Sequence, residues 1–234
     1  MSDLLERDDG TLCLRTRNDP SIERAIGYRR FWLAADIGFQ DPTGMILLRD
    51  EQVPFWDKTR QKLGPRLRTI VWADMFREVS YASICTYLQQ LLARPSIRGR
   101  VKLAIDGSGI GAPFSSFLAD QQIDHLSVSI TAGAAISKHG RQHNVSKSIL
   151  IGDLANALET RKLLIAADLP LRDRIMRELE AFEVRVTAAG NQVLNIARSE
   201  DVGHGDLAIA AALAFYHSSN LPGYTGQAKL EGYW

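Results

Sequence analysis

The sequence FWLAAD at residues 31–36 decides the fold prediction, because it is a short apolar run that ends in an acid. A second stretch, VKLAID at residues 101–106, repeats this pattern. Short apolar runs bounded by turn residues are typical of buried β-strands. A carboxylate at the end of such a strand costs free energy unless a cation or hydrogen bonds compensate its charge. The two stretches therefore predict two core strands, each with an acid at its end.

Other patterns predict an alternation of strands and helices around these two strands. Strand patterns fall at residues 44–48, 67–73 and 125–131, with a hairpin at 184–197, and helical spacing falls at residues 80–94, 112–122, 145–161, 172–182 and 206–217. The polar, charged residues 50–67 and 132–144 predict loops. Strands joined by turns should pair antiparallel, whereas two strands joined by a helix should run parallel. The prediction is an α/β fold, a mixed central sheet with helices on both faces.

The composition excludes several classes of protein. The 234 residues are 45% hydrophobic, and the net charge of +1 fits neither a disordered acidic chain nor a histone-like polycation. The two cysteines have no metal-binding spacing, which favours a reducing compartment. Because no apolar run reaches the roughly 20 residues of a membrane span, we expect no membrane association. We divide the chain into a lead-in segment (1–29), a single domain (30–218) and a C-terminal tail (219–234).

Three acids are candidates for one site. Asp36 and Asp106 would lie at the same sheet edge if their strands are neighbours, and Asp206 precedes a helix so apolar that it must pack on the sheet. Converging carboxylates without Cys or His ligands suit two Mg²⁺ or Mn²⁺ ions. Each acid also has an ordinary explanation, since Asp36 and Asp106 lie near turn glycines and Asp206 can cap its helix.

Several short motifs occur in a fixed order over roughly residues 31–217. They are ADIG at 35–38, DPTG at 41–44, AIDG at 104–107, VSK at 145–147, RELEAF at 177–182 and HGDLAIA at 204–210. This ordered set resembles the nuclease domain of phage terminase large subunits.

The resemblance implies an RNase H-like fold and a nuclease that cuts concatemeric viral DNA during packaging with Mg²⁺ or Mn²⁺. By this resemblance, Asp36, Asp106 and Asp206 would be the catalytic residues and the ligands of two ions. Asp41 matches an acid often found after the first strand and would be a further ligand. Lys147 matches a commonly basic position and would contact a DNA phosphate.

Basic side chains in the two predicted loops are further candidates for DNA binding. Residues 50–67 and 132–147, with the adjoining Arg68, supply Lys58, Arg60, Lys62, Arg66, Arg68, Lys138, Arg141 and Lys147. A basic rim of this kind is typical of backbone binding, although ordinary solvated loops have the same composition. We select Lys138 and Arg141 beside Lys147, and we add His204 because it could orient a phosphate or a water.

The sequence departs from the family in two places. It has HGD at residues 204–206 where the family often has His-Asp-Asp, and no G-x-x-x-x-G-K-[ST] motif occurs. We therefore expect an excised domain, a split subunit or a degenerate prophage product. Its expected partners are double-stranded DNA and a separate packaging ATPase, small terminase subunit or portal. The expected location is the cytoplasm of a phage-infected or lysogenic host. Whether Asp41 or Asp201 assists the metals stays open.

Other functions remain as alternatives. The same fold could serve a DNA-binding packaging module that does not cleave, or a Holliday-junction resolvase-like nuclease. DIG at residues 36–38 also resembles the phosphate loop of actin-like sugar kinases, which would make the protein a nucleotide-binding phosphotransferase. GSGIG at residues 107–111 suggests a dinucleotide site, but its spacing is not G-x-G-x-x-G.

Overall fold

Strands and helices account for most of the residues that the computed structural model describes, which are 4–15, 23–39, 41–58, 60–78, 80–132, 135–186, 192–196 and 204–220. The strands are β1 (Leu4–Glu6), β2 (Thr11–Arg15), β3 (Glu23–Asp36), β4 (Thr43–Gln52), β5 (Pro54–Asp57), β6 (Arg60–Leu63), β7 (Leu67–Phe76), β8 (Val101–Asp106), β9 (His125–Thr131), β10 (Ile136–His139), β11 (Gln142–Ser146), β12 (Leu164–Ile165), β13 (Phe182–Val186) and β14 (Gln192–Ile196). The helices are α1 (Tyr81–Leu92), α2 (Gly111–Asp120), α3 (Lys147–Glu159), α4 (Arg172–Glu180) and α5 (Asp206–Ser219). None of these helices is both long and apolar enough to cross a membrane.

A mixed sheet in the order β10-β11-β9-β8-β3-β4-β7-β12 forms the centre of the molecule. β3, β4 and β7 pair antiparallel, and β8 pairs parallel to both β3 and β9. This arrangement confirms the predicted mixed sheet, with parallel pairing where a helix joins the strands. β13 and β14 form the predicted hairpin, whose turn at residues 187–191 lies outside the described residues.

The alternation of side chains along β3 separates two cores. Trp32 and Ala34 belong to the core that includes residues of α3, α4 and α5, whereas Leu33 and Ala35 belong to the core with α1 and α2. The buried helix α5 lies on β3 and β4. Because successive side chains of a strand point to opposite faces, the acid at position 36 lies on the α5 face.

The sheet begins before the predicted domain start at residue 30. β2 pairs antiparallel with the first half of β3, and Leu12, Cys13 and Leu14 are buried. The described residues of the predicted lead-in segment (1–29) therefore contribute to the central sheet. The apolar residues of β2 form a run of only three, and charged residues lie on both sides of it. The sequence pattern alone therefore does not identify this strand. Of the predicted tail (219–234), residues 221–234 lie outside the described part of the chain.

Two segments predicted as loops form hairpins instead. Residues 50–67 contain the end of β4 and the antiparallel pair β5–β6, and residues 132–144 contain β10 paired with β11. The loop predictions were wrong because β6, β10 and β11 carry mostly polar side chains and β5 is a four-residue strand that begins with a proline. All four residues of β10 are exposed, so no apolar alternation is required.

Candidate active site

Asp36 and Asp106 are neighbours at the end of two paired parallel strands. Ala35 pairs with Ile105 in the β3–β8 ladder, so the next residue of each strand is an aspartate. Both acids lie on the α5 face, since Ala34 and Ala104 two residues earlier belong to the core on that side. The predicted meeting of two acids at one sheet edge is therefore present in the structure.

Asp206 reaches the same place because of a glycine in β4. Gly44 pairs with Asp36, and a Cβ atom at position 44 would come within 2.7 Å of the carbonyl carbon of Asp206. Only glycine permits α5 to begin this close to the sheet. Asp206 is 5% exposed, and its Oδ2 atom is buried without a hydrogen-bond partner. A buried carboxylate oxygen without a partner is costly and needs an explanation.

A buried glutamate fixes the start of α5. Glu178 of α4 is fully buried, and its Oε2 accepts hydrogen bonds from the backbone N–H groups of Leu207 at 2.9 Å and Ala208 at 3.0 Å. Its Oε1 accepts a hydrogen bond from Arg174 Nε at 2.8 Å. The sequence analysis did not select Glu178 as a site residue. Its position three residues after the buried Ile175, on the apolar face of α4, is the signal that could have identified it.

The clustered acids shift one another's pKa. Burial, followed by the charges of Asp106 and Asp206, raises the pKa of Asp36 well above its usual value, while Lys147 opposes the shift. Burial also raises the pKa of Asp106. Burial and then the charge of Glu178 raise the pKa of Asp206 to about 6. The site therefore contains more negative charge than its own cations neutralise.

The glycine-rich segment after β8 is a tight turn around Asp106. The Ser108 N–H donates to Asp106 Oδ1 at 2.8 Å, and Ser108 Oγ accepts from the Ile130 N–H at 2.7 Å. A Cβ atom at Gly111 would come within 1.8 Å of the Asp106 carbonyl oxygen, and one at Gly107 would come within 2.2 Å of the Ser127 hydroxyl. Close packing around Asp106 therefore accounts for these two glycines without a bound dinucleotide.

An open cleft of about 860 Å³ contains most of the predicted site residues. Its lining includes Asp36, Asp41, Asp106, Lys147, His204 and Asp206. Asp41 Oδ2 lies 2.6 Å from His204 Nδ1. Lys147 is the first residue of α3, and its Nζ lies 5.4 Å from the centre of the Phe182 ring. Asp201 lies outside the described residues.

Two of the predicted DNA-binding residues do not line the cleft. Lys138 lies on β10, where its Nζ donates a hydrogen bond to Asn220 Oδ1 at 2.7 Å. Arg141 lies in the turn between β10 and β11 and is exposed. Both residues belong to the hairpin at one edge of the sheet.

Arg66 and Arg68 are structural, in contrast to the prediction of a basic loop rim. Arg66 donates two hydrogen bonds to the fully buried Asp50, Nε to Oδ1 at 2.8 Å and Nη2 to Oδ2 at 2.7 Å. Arg30 Nε donates to the same carboxylate at 3.0 Å. The guanidinium of Arg68 lies 4.8 Å from the centre of the Phe215 ring. Arg66 Nη2 also donates a hydrogen bond to the Ser218 carbonyl oxygen of α5 at 2.6 Å, so both arginines connect α5 to the sheet.

The chemistry of the donor atoms fits a hard divalent cation. Carboxylate oxygens are the preferred ligands of Mg²⁺ and Mn²⁺, and a cation near Asp206 Oδ2 would satisfy its missing partner. Among the residues that the structure describes, no three Asp, Glu, His or Cys side chains are already grouped around one metal position. Ligation of one ion by all three aspartates would therefore require side-chain rotation.

Comparison with known proteins identifies the fold. No family model matches the sequence, and no curated protein does. The chain is similar to the solved large terminase nuclease of thermophilic phage G20c, with a TM-score of 0.54, 19% identity, and 92% of each chain covered. It is similar to the large terminase nuclease domain of Thermus phage P74-26, with a TM-score of 0.54, 20% identity, and 86% of this chain and 90% of that chain covered. The G20c nuclease with bound magnesium gives a TM-score of 0.53 at 20% identity over 82% and 88% of the two chains.

These similarities confirm the predicted fold. The chain has the RNase H-like fold of large terminase nuclease domains, with a mixed central sheet and helices on both faces. The resemblance read from the ordered motifs is therefore confirmed at the level of the fold.

Proposed function

We propose that this protein is a metal-dependent DNA endonuclease that cuts concatemeric phage DNA during packaging. The observation that carries the proposal is the presence of Asp36, Asp106 and Asp206 in one cleft, contributed by β3, β8 and α5. Three clustered carboxylates with raised pKa values destabilise the folded protein when charged. A divalent cation removes this repulsion, so a bound cation would explain why the three carboxylates lie together.

The proposed metals are two Mg²⁺ or Mn²⁺ ions. Asp36, Asp106 and Asp206 would hold them, with Asp41 as a further ligand. When bound, such ions lower the pKa of a water and stabilise the leaving oxygen in phosphodiester hydrolysis. The magnesium-bound structure of the G20c nuclease, which shares this fold, supports the proposal.

The other polar residues of the cleft would bind and orient the DNA strand. Lys147 would contact a backbone phosphate next to the carboxylates, where its charge also opposes the raised pKa of Asp36. His204 is held by Asp41 through Nδ1, so its Nε2 would contact a phosphate or a water. Lys138 and Arg141, on the hairpin outside the cleft, would contact the duplex farther from the cut.

The proposed partners follow from this activity. The substrate would be double-stranded DNA, and a separate packaging ATPase, small terminase subunit or portal would deliver it. The chain contains no G-x-x-x-x-G-K-[ST] motif, so these residues alone would not drive translocation. The proposed location is the cytoplasm of a phage-infected or lysogenic host.

A DNA-binding packaging module that does not cleave is the second candidate. The observation that favours it is that no three metal-ligating side chains of the described residues are grouped around one point. This candidate predicts salt-dependent binding of duplex DNA that does not require Asp106.

Plasmid nicking in Mg²⁺ or Mn²⁺ tests the proposed function. We expect metal-dependent nicking by the wild-type protein and a loss of at least about 100-fold in Asp36→Asn and Asp106→Asn, more than outer-shell metal residues typically cost. Asp153→Asn, an exposed residue of α3, is the matched control and should nick normally. Retardation of duplex DNA without any nicking would favour the module that does not cleave, and equal nicking by all variants would show that these aspartates do not perform the cleavage.

A further inference from the structure

The cleft has two chemically different walls because the two faces of the sheet supply them. The α3 and α5 side contributes Lys147 and Asp206. The side that carries α1 and α2 contributes Phe39 and Ile110, which also line the cleft. Lys147 and the three acids therefore lie on the α5 side of the cleft, and Phe39 and Ile110 lie on the other side. We call Phe39 and Ile110 the apolar wall.

Tyr81 holds the apolar wall in place. The ring centres of Phe39 and Tyr81 are 4.7 Å apart, and the Tyr81 hydroxyl donates a hydrogen bond to the Ile110 carbonyl oxygen at 2.9 Å. Tyr81 in turn packs on Phe114, with ring centres 5.2 Å apart, and Phe114 is fully buried. Both members of the wall thus rest on one aromatic cluster that reaches the core.

The apolar wall leaves hydrophobic surface open to the cleft. Ile110 is 42% exposed although it lies four residues after Asp106, in the turn between β8 and α2. Phe39 is only partly buried. Single exposed apolar residues need no explanation, but Phe39 and Ile110 together give the cleft an apolar surface beside its three acids.

We propose that the apolar wall binds the sugar and base of a nucleotide whose phosphate lies at the carboxylates, so that the cleft accepts a locally unpaired strand. This inference rests on the proposed nuclease function. The phosphate belongs with Lys147 and the acids, so the rest of the nucleotide faces Phe39 and Ile110. A base inside a duplex presents its faces to its stacked neighbours, and only an unstacked base can lay a face on an aromatic ring.

Equilibrium binding of two synthetic duplexes tests the inference. One duplex is fully paired and the other has a short central bubble, and both carry 2-aminopurine at the centre. Binding is followed by anisotropy and by 2-aminopurine fluorescence, in Ca²⁺ so that binding is measured apart from cleavage. We expect the wild-type protein to bind the bubble about 5- to 150-fold more tightly, the range that base–aromatic stacking supplies, and to change the 2-aminopurine fluorescence.

Two variants and a control separate the apolar wall from general packing. Phe39→Leu keeps an apolar side chain but removes the ring, and Ile110→Ser changes an exposed residue. Both should lose the bubble preference and retain the wild-type affinity for the paired duplex. Phe55→Leu, at an aromatic that is 46% exposed on β5 outside the cleft, should behave as wild type.

Two results would overturn the inference. If the wild-type protein nicks plasmid but binds both duplexes equally, or if both variants keep the bubble preference, the apolar wall does not bind a base, while the nuclease proposal stands. If neither duplex binds and no plasmid is nicked, the proposed function itself fails, and this inference fails with it.

Discussion

Gly44 lies directly beneath the backbone of Asp206, so close that a Cβ atom at position 44 would come within 2.7 Å of the Asp206 carbonyl carbon. The same glycine pairs with Asp36 across the β3–β4 ladder. One position without a side chain thus sets the distance between the acid of α5 and the acid of β3. The arrangement of the candidate site depends on this contact.

Gly44→Ala should therefore impair both stability and activity. The methyl group would push the start of α5 away from the sheet, at a cost of about 1–3 kcal/mol in the free energy of unfolding, and would displace Asp206. Gly152→Ala in α3, where a Cβ atom meets nothing within 4 Å, should be stabilising by about 0.5–1 kcal/mol. Urea unfolding and plasmid nicking would measure both effects. Wild-type stability and activity in Gly44→Ala would show that the contact is unimportant.

Glu178→Gln should lower the pKa of Asp206. Burial and then the charge of Glu178 raise that pKa to about 6, so a neutral side chain of similar shape removes the second cause. A carboxyl group must lose its proton to ligate a cation, and the variant would therefore keep Asp206 charged to a lower pH. NMR titration of the metal-free protein would measure the pKa. Glu159→Gln, an exposed residue at the end of α3, is the control, and an unchanged Asp206 titration in Glu178→Gln would contradict this account.

Asp50→Asn should destabilise the protein at neutral pH and much less in acid. Burial raises the pKa of Asp50, but the hydrogen bonds and charges of Arg66 and Arg30 outweigh burial and lower it overall. The stabilisation from a carboxylate with a lowered pKa is present above its unfolded pKa of about 4 and is lost as the pH falls through the folded value. We expect a loss of about 3 kcal/mol at pH 7, because the variant removes the buried negative charge that pairs with two partly buried arginines.

Denaturant unfolding over a range of pH would test this sign. The difference between Asp50→Asn and wild type should shrink as the pH falls below about 4. Asp57→Asn removes an exposed ion pair with Lys62 and should change stability by less than about 0.5 kcal/mol. A difference that grows in acid would mean that the Asp50 cluster does not stabilise the charged form.

Lys147→Gln should lower the affinity for DNA of any base sequence, and the affinity of the variant should depend less steeply on salt concentration. Each phosphate contact made by a lysine contributes about one unit to the slope of log affinity against log salt concentration. Lys162→Gln, in the exposed turn after α3 and outside the cleft, should leave that slope unchanged. Anisotropy titrations at several salt concentrations would measure both slopes. Equal slopes for Lys147→Gln and wild type would show that Lys147 does not contact a DNA phosphate.

The parts of the fold that the sequence predicted are those whose side-chain pattern reports burial. FWLAAD at 31–36 and VKLAID at 101–106 alternate between two buried faces, and this burial makes their terminal acids conspicuous. The apolar pattern of α5 likewise required that it pack on the sheet, which brought Asp206 to the site. In these cases burial determined both the apolar sequence pattern and the position of the acid next to it.

The sequence could not predict what depends on contacts between distant polar residues. Asp50 and Arg66 have the composition of a charged loop, yet they form a buried ion pair because β4 and the start of β7 place them together. Glu178 belongs to a strongly charged helix, and only the approach of α5 makes it a capping group. All four residues of β10 are exposed and β11 is mostly polar, so no apolar pattern identifies this hairpin in the sequence.

The most direct measurement is the position of anomalous scattering peaks in crystals soaked in Mn²⁺. The account predicts peaks in the cleft at about 2.0–2.3 Å from carboxylate oxygens of Asp36, Asp106 and Asp206, and loss of these peaks in Asp106→Asn crystals. Asp153→Asn crystals should retain them. A cleft without peaks under saturating Mn²⁺, or peaks held only by residues outside it, would contradict the central claim that these three aspartates form a metal site.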